Sequence, residues 1–238
     1  MSRYFFIFLL SFYFIFFLGF SSLGVYEEIS AINDTITVID GLTMSLKEEA
    51  VYNDTIKKAI SSLDSNDYKN AITWYDNALT LNPFSIEAIN GKGLSLSELG
   101  KHQEAIKLYD KALKIDPNSK QVLNNKGYSL YLIGKYQEAI KLYDKALKID
   151  SKFIDALANK GSAYYRLGQY TEALKWLDKA LKLDQSLLVS IYYKTRSIEE
   201  LGEPQVAAEF FKNASNIYYH TIMNMSNAFN QNKTETKN

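Results

Sequence analysis

The chain has 238 residues, 27 basic and 27 acidic side chains, two histidines and no cysteine, and 47% of its residues are apolar. The balanced charge leaves no electrostatic footprint for a nucleic-acid backbone, so no nucleic-acid partner is expected. Without cysteine there is no disulfide framework and no thiol to carry a lipid anchor.

The first element is residues 1–25. Between Tyr4 and Phe20 no residue is charged, and only Ser11 and Gly19 are neither aliphatic nor aromatic. As a helix this run spans about 25 Å at ~1.5 Å per residue. Ser21 to Val25 extend it toward the ~30 Å of a hydrocarbon core. It exceeds the about 7–15 apolar residues of a signal-peptide core, which favours a transmembrane anchor, although Ser22 and Gly24 offer a small-x-small site at which a signal peptide would be cleaved. Arg3 precedes the segment and Glu27 and Glu28 follow it, which predicts a cytoplasmic amino terminus. The rest of the chain is then expected outside the cytoplasm, membrane-anchored or secreted. Residues 26–51 have an apolar spacing compatible with one or two short helices broken at Gly41, and form a tether or an N-terminal capping helix.

From residue 52 to 221 the chain repeats itself every 34 residues. Residues 100–116 and 134–150 are the same seventeen letters except that His102 stands for Tyr136. The units fall near 52–85, 86–119, 120–153, 154–187 and 188–221, the central three being the closest copies. Within one unit, Tyr136, Ala139, Ile140, Tyr143, Ala146 and Leu147 recur at steps of three and four, which predicts a helix over Tyr136–Ile149 with one buried face. Leu123, Leu130 and Ile133 do the same over Val122–Ile133, and Gly134 between the two suits a left-handed helix end. Each unit therefore reads as a helical hairpin. One hairpin cannot bury its face alone, so the units are expected to stack. Asp144 with Lys148, and Asp178 with Lys182, are spaced as exposed ion pairs four residues apart.

This 34-residue unit resembles the tetratricopeptide repeat family. The family's small residues are matched by Gly93, Ala105 and Ala112 in the second unit, with Tyr109 as its aromatic and Pro117 as its closing proline. Gly127, Ala139, Tyr143 and Ala146 match in the third, and Gly161, Ala173, Leu177 and Ala180 in the fourth. The first keeps Ala59, Ala71, Tyr75, Ala78 and Pro83; the fifth keeps Ala207, Phe211 and Ala214, with Thr195 at the first small position. The resemblance implies an all-α, right-handed superhelical solenoid of antiparallel helix pairs, whose first helices line a concave face that holds an extended peptide or a helix. Carried onto this chain, the inward positions are Asn90 and Leu94, then Asn124, Asn125, Tyr128 and Tyr131. They continue with Asn159, Ser162, Tyr165 and Arg166, and end with Tyr192, Tyr193 and Arg196.

The amides of Asn125 and Asn159 would hold a peptide backbone, the tyrosines would add flat contact area, and Arg166 and Arg196 would take a carboxylate. The family's clamp for chaperone tails needs cations at places where this chain has Asn90, Asn124, Ala158, Gln121 and Asp155, so the resemblance does not extend to that ligand.

Residues 222–238 read as an extension of the last helix followed by a polar stretch, 232–238, with no fixed structure. Asn-x-Ser/Thr glycosylation triplets begin at Asn33, Asn53, Asn213, Asn224 and Asn232, flanking the three best repeats. No phosphate loop, HExxH or EF-hand pattern occurs, and His102 and His220 are far apart, so neither catalysis nor a cofactor or metal is expected. The expected function is a non-enzymatic protein-interaction scaffold, membrane-anchored or exported. Two alternatives stand beside it: a substrate-recruiting subunit of an envelope-modifying enzyme complex, and a self-assembling structural solenoid.

Overall fold

The structure, a computed structural model, describes residues 45–235, and side chains as far as residue 224. The apolar leader, most of the 26–51 segment and Asn33 lie outside the described residues. Among the described residues the chain forms ten helices packed as consecutive antiparallel pairs in a solenoid. They are α1 (45–64), α2 (Tyr68–Leu81), α3 (Ile86–Glu98), α4 (His102–Ile115) and α5 (Lys120–Leu132). The series continues with α6 (Tyr136–Ile149), α7 (Ile154–Arg166), α8 (Tyr170–Leu183), α9 (Leu188–Glu200) and α10 (Pro204–Glu235). Two compact units are distinguished, 1–57 and 58–238, and the second holds the hairpins described below. No helix among the described residues is long and apolar enough to cross a membrane, and the span expected in the leader lies outside them.

The α5–α6 hairpin shows why the period produces this shape. Helix α6 runs over the expected residues, and α5 begins two residues before Val122. Gly134 closes α5 with a φ of +82°. In that conformation its N–H reaches Tyr131 O at 3.0 Å while the next N–H, of Lys135, reaches Leu130 O at 2.9 Å. This pair of bonds satisfies carbonyls that the helix end would otherwise leave open, and it needs a residue that tolerates positive φ. Gly127 serves a different purpose: a Cβ there would sit 2.6 Å from the ring of Tyr143. The ring therefore rests close against the bare backbone of α5 within its own hairpin. It is also packed with Ala156 and Ala163 of the next one, which makes the core continuous.

Successive hairpins touch unequally. The first helices α3, α5, α7 and α9 contact one another, whereas among the described residues the second helices do not. The first helices thus line the inner face and the second helices splay outward.

The hairpins are also tied by charge. Lys92 meets Asp76 at 2.5 Å, Lys126 meets Asp110 at 2.5 Å, Lys160 meets Asp144, and Lys194 meets Asp178 at 2.6 Å. Each bond joins a second helix to the first helix of the following unit. This corrects the expected local pairs: Asp144 and Asp178 reach across to the next hairpin and not along their own helix to Lys148 and Lys182. The lysine side chains lie in the crevice between units, 5–24% exposed, where a carboxylate is the available acceptor. Helix α10 runs from Pro204 to Glu235, into the stretch 232–238 where composition predicts no fixed structure.

Candidate functional site

On α7, Asp155, Asn159, Ser162 and Arg166 follow one another at steps of four, three and four, which places them on one stripe of the inner face. Helices α5 and α9 flank it. The asparagines of this face bond mainly to each other. Asn159 Nδ2 donates to Asn124 Oδ1 at 3.0 Å and Asn125 Nδ2 donates to Asn90 Oδ1 at 3.1 Å. Asn124 Nδ2 completes the run toward Asn125 Oδ1 at 3.5 Å. The amides expected to grip a peptide therefore stitch hairpins two, three and four together, and Asn124 is buried in the process. Asn90, Asn125 and Asn159 remain half-exposed.

The tyrosines gather further along the stripe. Tyr131 of α5 and Tyr193 of α9 share a hydroxyl–hydroxyl hydrogen bond of 2.7 Å, so side chains two hairpins apart meet across α7. Tyr165 packs against Tyr193 with ring centroids 5.2 Å apart, and Tyr192 against Tyr193 at 5.0 Å. Tyr128 stacks on Tyr131 at 6.1 Å. The bridge fills part of the groove: Tyr131 is buried, and Ser162 is buried with its hydroxyl donating to Ala158 O at 2.9 Å. Neither offers a free surface, whereas Tyr128 and Tyr192 are exposed.

The two arginines differ. Arg196 is held by Glu199 at 2.6 Å and Glu200 at 3.5 Å. Arg166 is exposed and, among the described residues, has no carboxylate within 4 Å; its guanidinium lies 5.1 Å from the centre of the Tyr136 ring and 5.7 Å from that of Tyr131. A hydrogen bond with Tyr131 raises the Arg166 pKa above its ordinary value. Burial is the main cause that pushes the Tyr131 phenol up, with the shared bond to Tyr193 adding to it. Arg166 is thus a fixed cation oriented by aromatic faces, a geometry that leaves its outer edge for an anion.

Toward the start of the stripe, Asn125, Tyr128, Asp155, Asn159, Leu187 and Val189 are among the residues lining an open cleft of about 240 Å³. Sequence reasoning missed Tyr136 and Tyr170, which begin the second helices and pack against Tyr131 and Tyr165 at 5.4 and 5.6 Å. The period held the clue, since both occupy the place taken by His102 in unit two, where His102 instead lies 3.2 Å from the hydroxyl of Ser97. Among the acceptor triplets, Asn53, Asn213 and Asn224 stand exposed on helices, and Asn232 lies on α10. Among the described residues no cluster of His, Asp or Glu could hold a metal ion.

Sequence models of three families match the chain: anaphase-promoting complex, cyclosome, subunit 3 over residues 64–146, TPR repeat over 127–168 and tetratricopeptide repeat over 154–187. Among solved structures, it is similar to MamA from Desulfovibrio magneticus RS-1, with 20% identity over 72% of this chain and 96% of that one and a TM-score of 0.61. A Pseudomonas aeruginosa pilF structure is similar at 20% identity over 71% of this chain and 78% of that one, with a TM-score of 0.63. At this identity the likeness is one of fold. No curated protein sequence matches the chain. Repeat period, helix pairing, small residues under large ones and the matched families agree, and the chain is a tetratricopeptide repeat protein.

Proposed function

We propose that this chain is a scaffold that holds an extended partner segment across the inner face of α5, α7 and α9. One observation carries the reading. Asp155 and Arg166, opposite charges without an ion-pair partner among the described residues, lie on one stripe of one helix, with half-exposed Asn159 between them and the exposed Tyr128 and Tyr192 on the flanking helices. Eleven positions of helix separate them, about 16 Å at ~1.5 Å per residue. An extended chain covers that distance in about five residues. The segment that fits carries a basic group at Asp155 and a carboxylate at Arg166. Arg166 would engage that carboxylate through two hydrogen bonds, while Tyr128 and Tyr192 cover the segment's flanks. The apolar leader supports a membrane-anchored or exported setting for this scaffold.

The test places a photo-crosslinking residue at Tyr128 or Tyr192 in cells, with Gln137 on an outward helix as the comparison. Adducts at the two inner positions, lost with Arg166→Ala, are expected. Adducts at Gln137 with none at the inner positions would overturn the reading.

A further inference from the structure

The outer face has a chemistry that the balanced overall charge conceals. Helix α4 presents Lys107, Lys111 and Lys114 at steps of four and three, and lysine returns at all three places 34 and 68 residues later, on α6 and α8. All of these side chains are exposed. Counting partners among the described residues, only Lys175 of these has a carboxylate within 4 Å, that of Glu172 at 3.5 Å. The acids of the same helices are already engaged: Asp110 and Asp144, half-exposed, by the lysines of the ties between hairpins, and Glu104 and Glu138 by Lys101 and Lys135. The lattice has edges, because α2 carries Thr73, Asn77 and Thr80 at these places and α10 carries Glu209, Asn213 and Asn216. It is therefore a bounded patch and not a property of every repeat.

A second feature lies beside it. One turn beyond Lys111, Lys145 and Lys179 stand Ile115, Ile149 and Leu183, which are 39%, 45% and 43% exposed. Residues four apart on a helix are neighbours, so each aliphatic side chain sits next to a lysine. Leu81 and Phe84, at 45% and 71% exposed, extend this apolar row at one end.

We propose that the outer face of α4, α6 and α8 docks on an anionic lipid surface, with the lysines among the headgroup phosphates and the aliphatic row at the acyl boundary. The cations draw the face to a negative leaflet, and exposed apolar side chains favour the interface once there. A nucleic-acid backbone fits less well: the patch has no arginine for bidentate phosphate contacts, and the aliphatic row has no counterpart on a phosphate backbone. This surface is separate from the inner groove and stands without it.

The test uses the purified full chain with vesicles of phosphatidylcholine alone or with phosphatidylglycerol at about a third of the lipid. The apolar leader contributes alike to both compositions, so the preference between them reports the lysines. At low salt the wild type is expected to favour the anionic vesicles by at least about tenfold, given the typical contribution of each lysine near such a surface. That preference is expected to vanish in high salt and in the variant Lys107→Glu, Lys111→Glu, Lys141→Glu, Lys145→Glu, with helicity checked by circular dichroism. The variant Ile115→Ser, Ile149→Ser, Leu183→Ser is expected to bind anionic vesicles several-fold more weakly. Equal binding to both compositions, or a lysine variant that keeps the preference, would overturn the proposal. Lysine-dependent binding of a duplex oligonucleotide that matches the vesicle affinity and ignores the aliphatic substitutions would overturn it in favour of a nucleic-acid surface.

Discussion

The four lysine–aspartate ties between hairpins have the same chemistry in different surroundings, so their contributions can be ranked. The Lys160 side chain is 5% exposed and lies 3.3 Å from the centre of the Trp176 ring, while Lys92 is 24% exposed. Replacing Asp144 with Asn leaves a buried ammonium facing a neutral amide. Breaking a fully buried pair costs about 3–5 kcal/mol, and because Asp144 itself is 45% exposed the figure here falls to about 2 kcal/mol. The same change at Asp76, 51% exposed, removes a pair near the surface and costs about 0.5 kcal/mol. For a domain of this size these correspond to Tm losses of about 4–8 °C and about 1–2 °C. Thermal and urea unfolding followed by circular dichroism would measure both. In 1 M salt the Asp76 effect should disappear, because screening acts within about 3 Å, while the Asp144 effect should persist. Adding Lys160→Met to Asp144→Asn should recover most of the loss by removing the unpaired charge. Equal costs at the two sites, or no recovery in the double variant, would refute the ranking by burial.

Three further outcomes follow from the packing. Gly127→Ala places a Cβ 2.6 Å from the Tyr143 ring, an overpacking cost of about 1–3 kcal/mol against a helix-propensity gain of ~1. Net destabilisation in urea is expected, whereas Gly134→Ala meets no atom within 4 Å and loses about 1 kcal/mol from its backbone conformation alone. The Tyr143 hydroxyl is buried without a hydrogen-bond partner among the described residues, and burial pushes its pKa well above the ordinary phenol value. Tyr143→Phe should therefore raise stability by about 1 kcal/mol at neutral pH. The gain should grow as pH rises past about 10, where the unfolded phenol loses its proton first. Asp150 accepts from Lys120 at 2.5 Å and from the Lys152 N–H at 3.0 Å, and these bonds hold its pKa below the usual carboxylate range. Its contribution is complete above the unfolded value near ~4 and is lost as pH falls through the depressed folded value. The Tm difference between Asp150→Asn and wild type should shrink accordingly in acid.

Features that recur with the period were readable from the letters. Gly134 and Gly127, both small, could be given different tasks because one lies between two apolar runs and the other within one. Side-chain partners were harder. Asp144 has lysines four and sixteen residues ahead, and local spacing favours Lys148; only the placement of α7 in the crevice makes Lys160 the partner. Arg166 and Arg196 looked equivalent, yet Glu199 and Glu200 occupy one and tyrosines surround the other. The asparagines were placed on the inner face, but their mutual bonds depend on how closely adjacent first helices approach. A recurrence at sixteen residues, seen from Asp76 to Lys92 through Asp178 to Lys194, was present in the sequence and is the sign that would have revealed the ties.

The ties also explain how a neutral chain comes to have two unlike faces. Each of the first four hairpins ties one aspartate of its second helix to one lysine of the next first helix, which neutralises both charges and draws the lysine into the crevice while the aspartate stays half-exposed. The charges these ties leave outside on α4, α6 and α8 are mostly lysine, with one glutamate per helix, and those left without an ion pair on the α7 stripe, among the described residues, are Asp155 and Arg166. The series stops at the end of the array: Lys212 stands on α10 where Asp76, Asp110, Asp144 and Asp178 stand on earlier second helices. A further hairpin of the same kind, or a second copy continuing the array, would bring its own lysine against Lys212 with no carboxylate to receive it. That mismatch disfavours end-to-end growth by repeat stacking, so the full chain should remain monomeric in light scattering where its leader is shielded. Lys212→Asp should then be the substitution that makes the open end of α10 more adhesive.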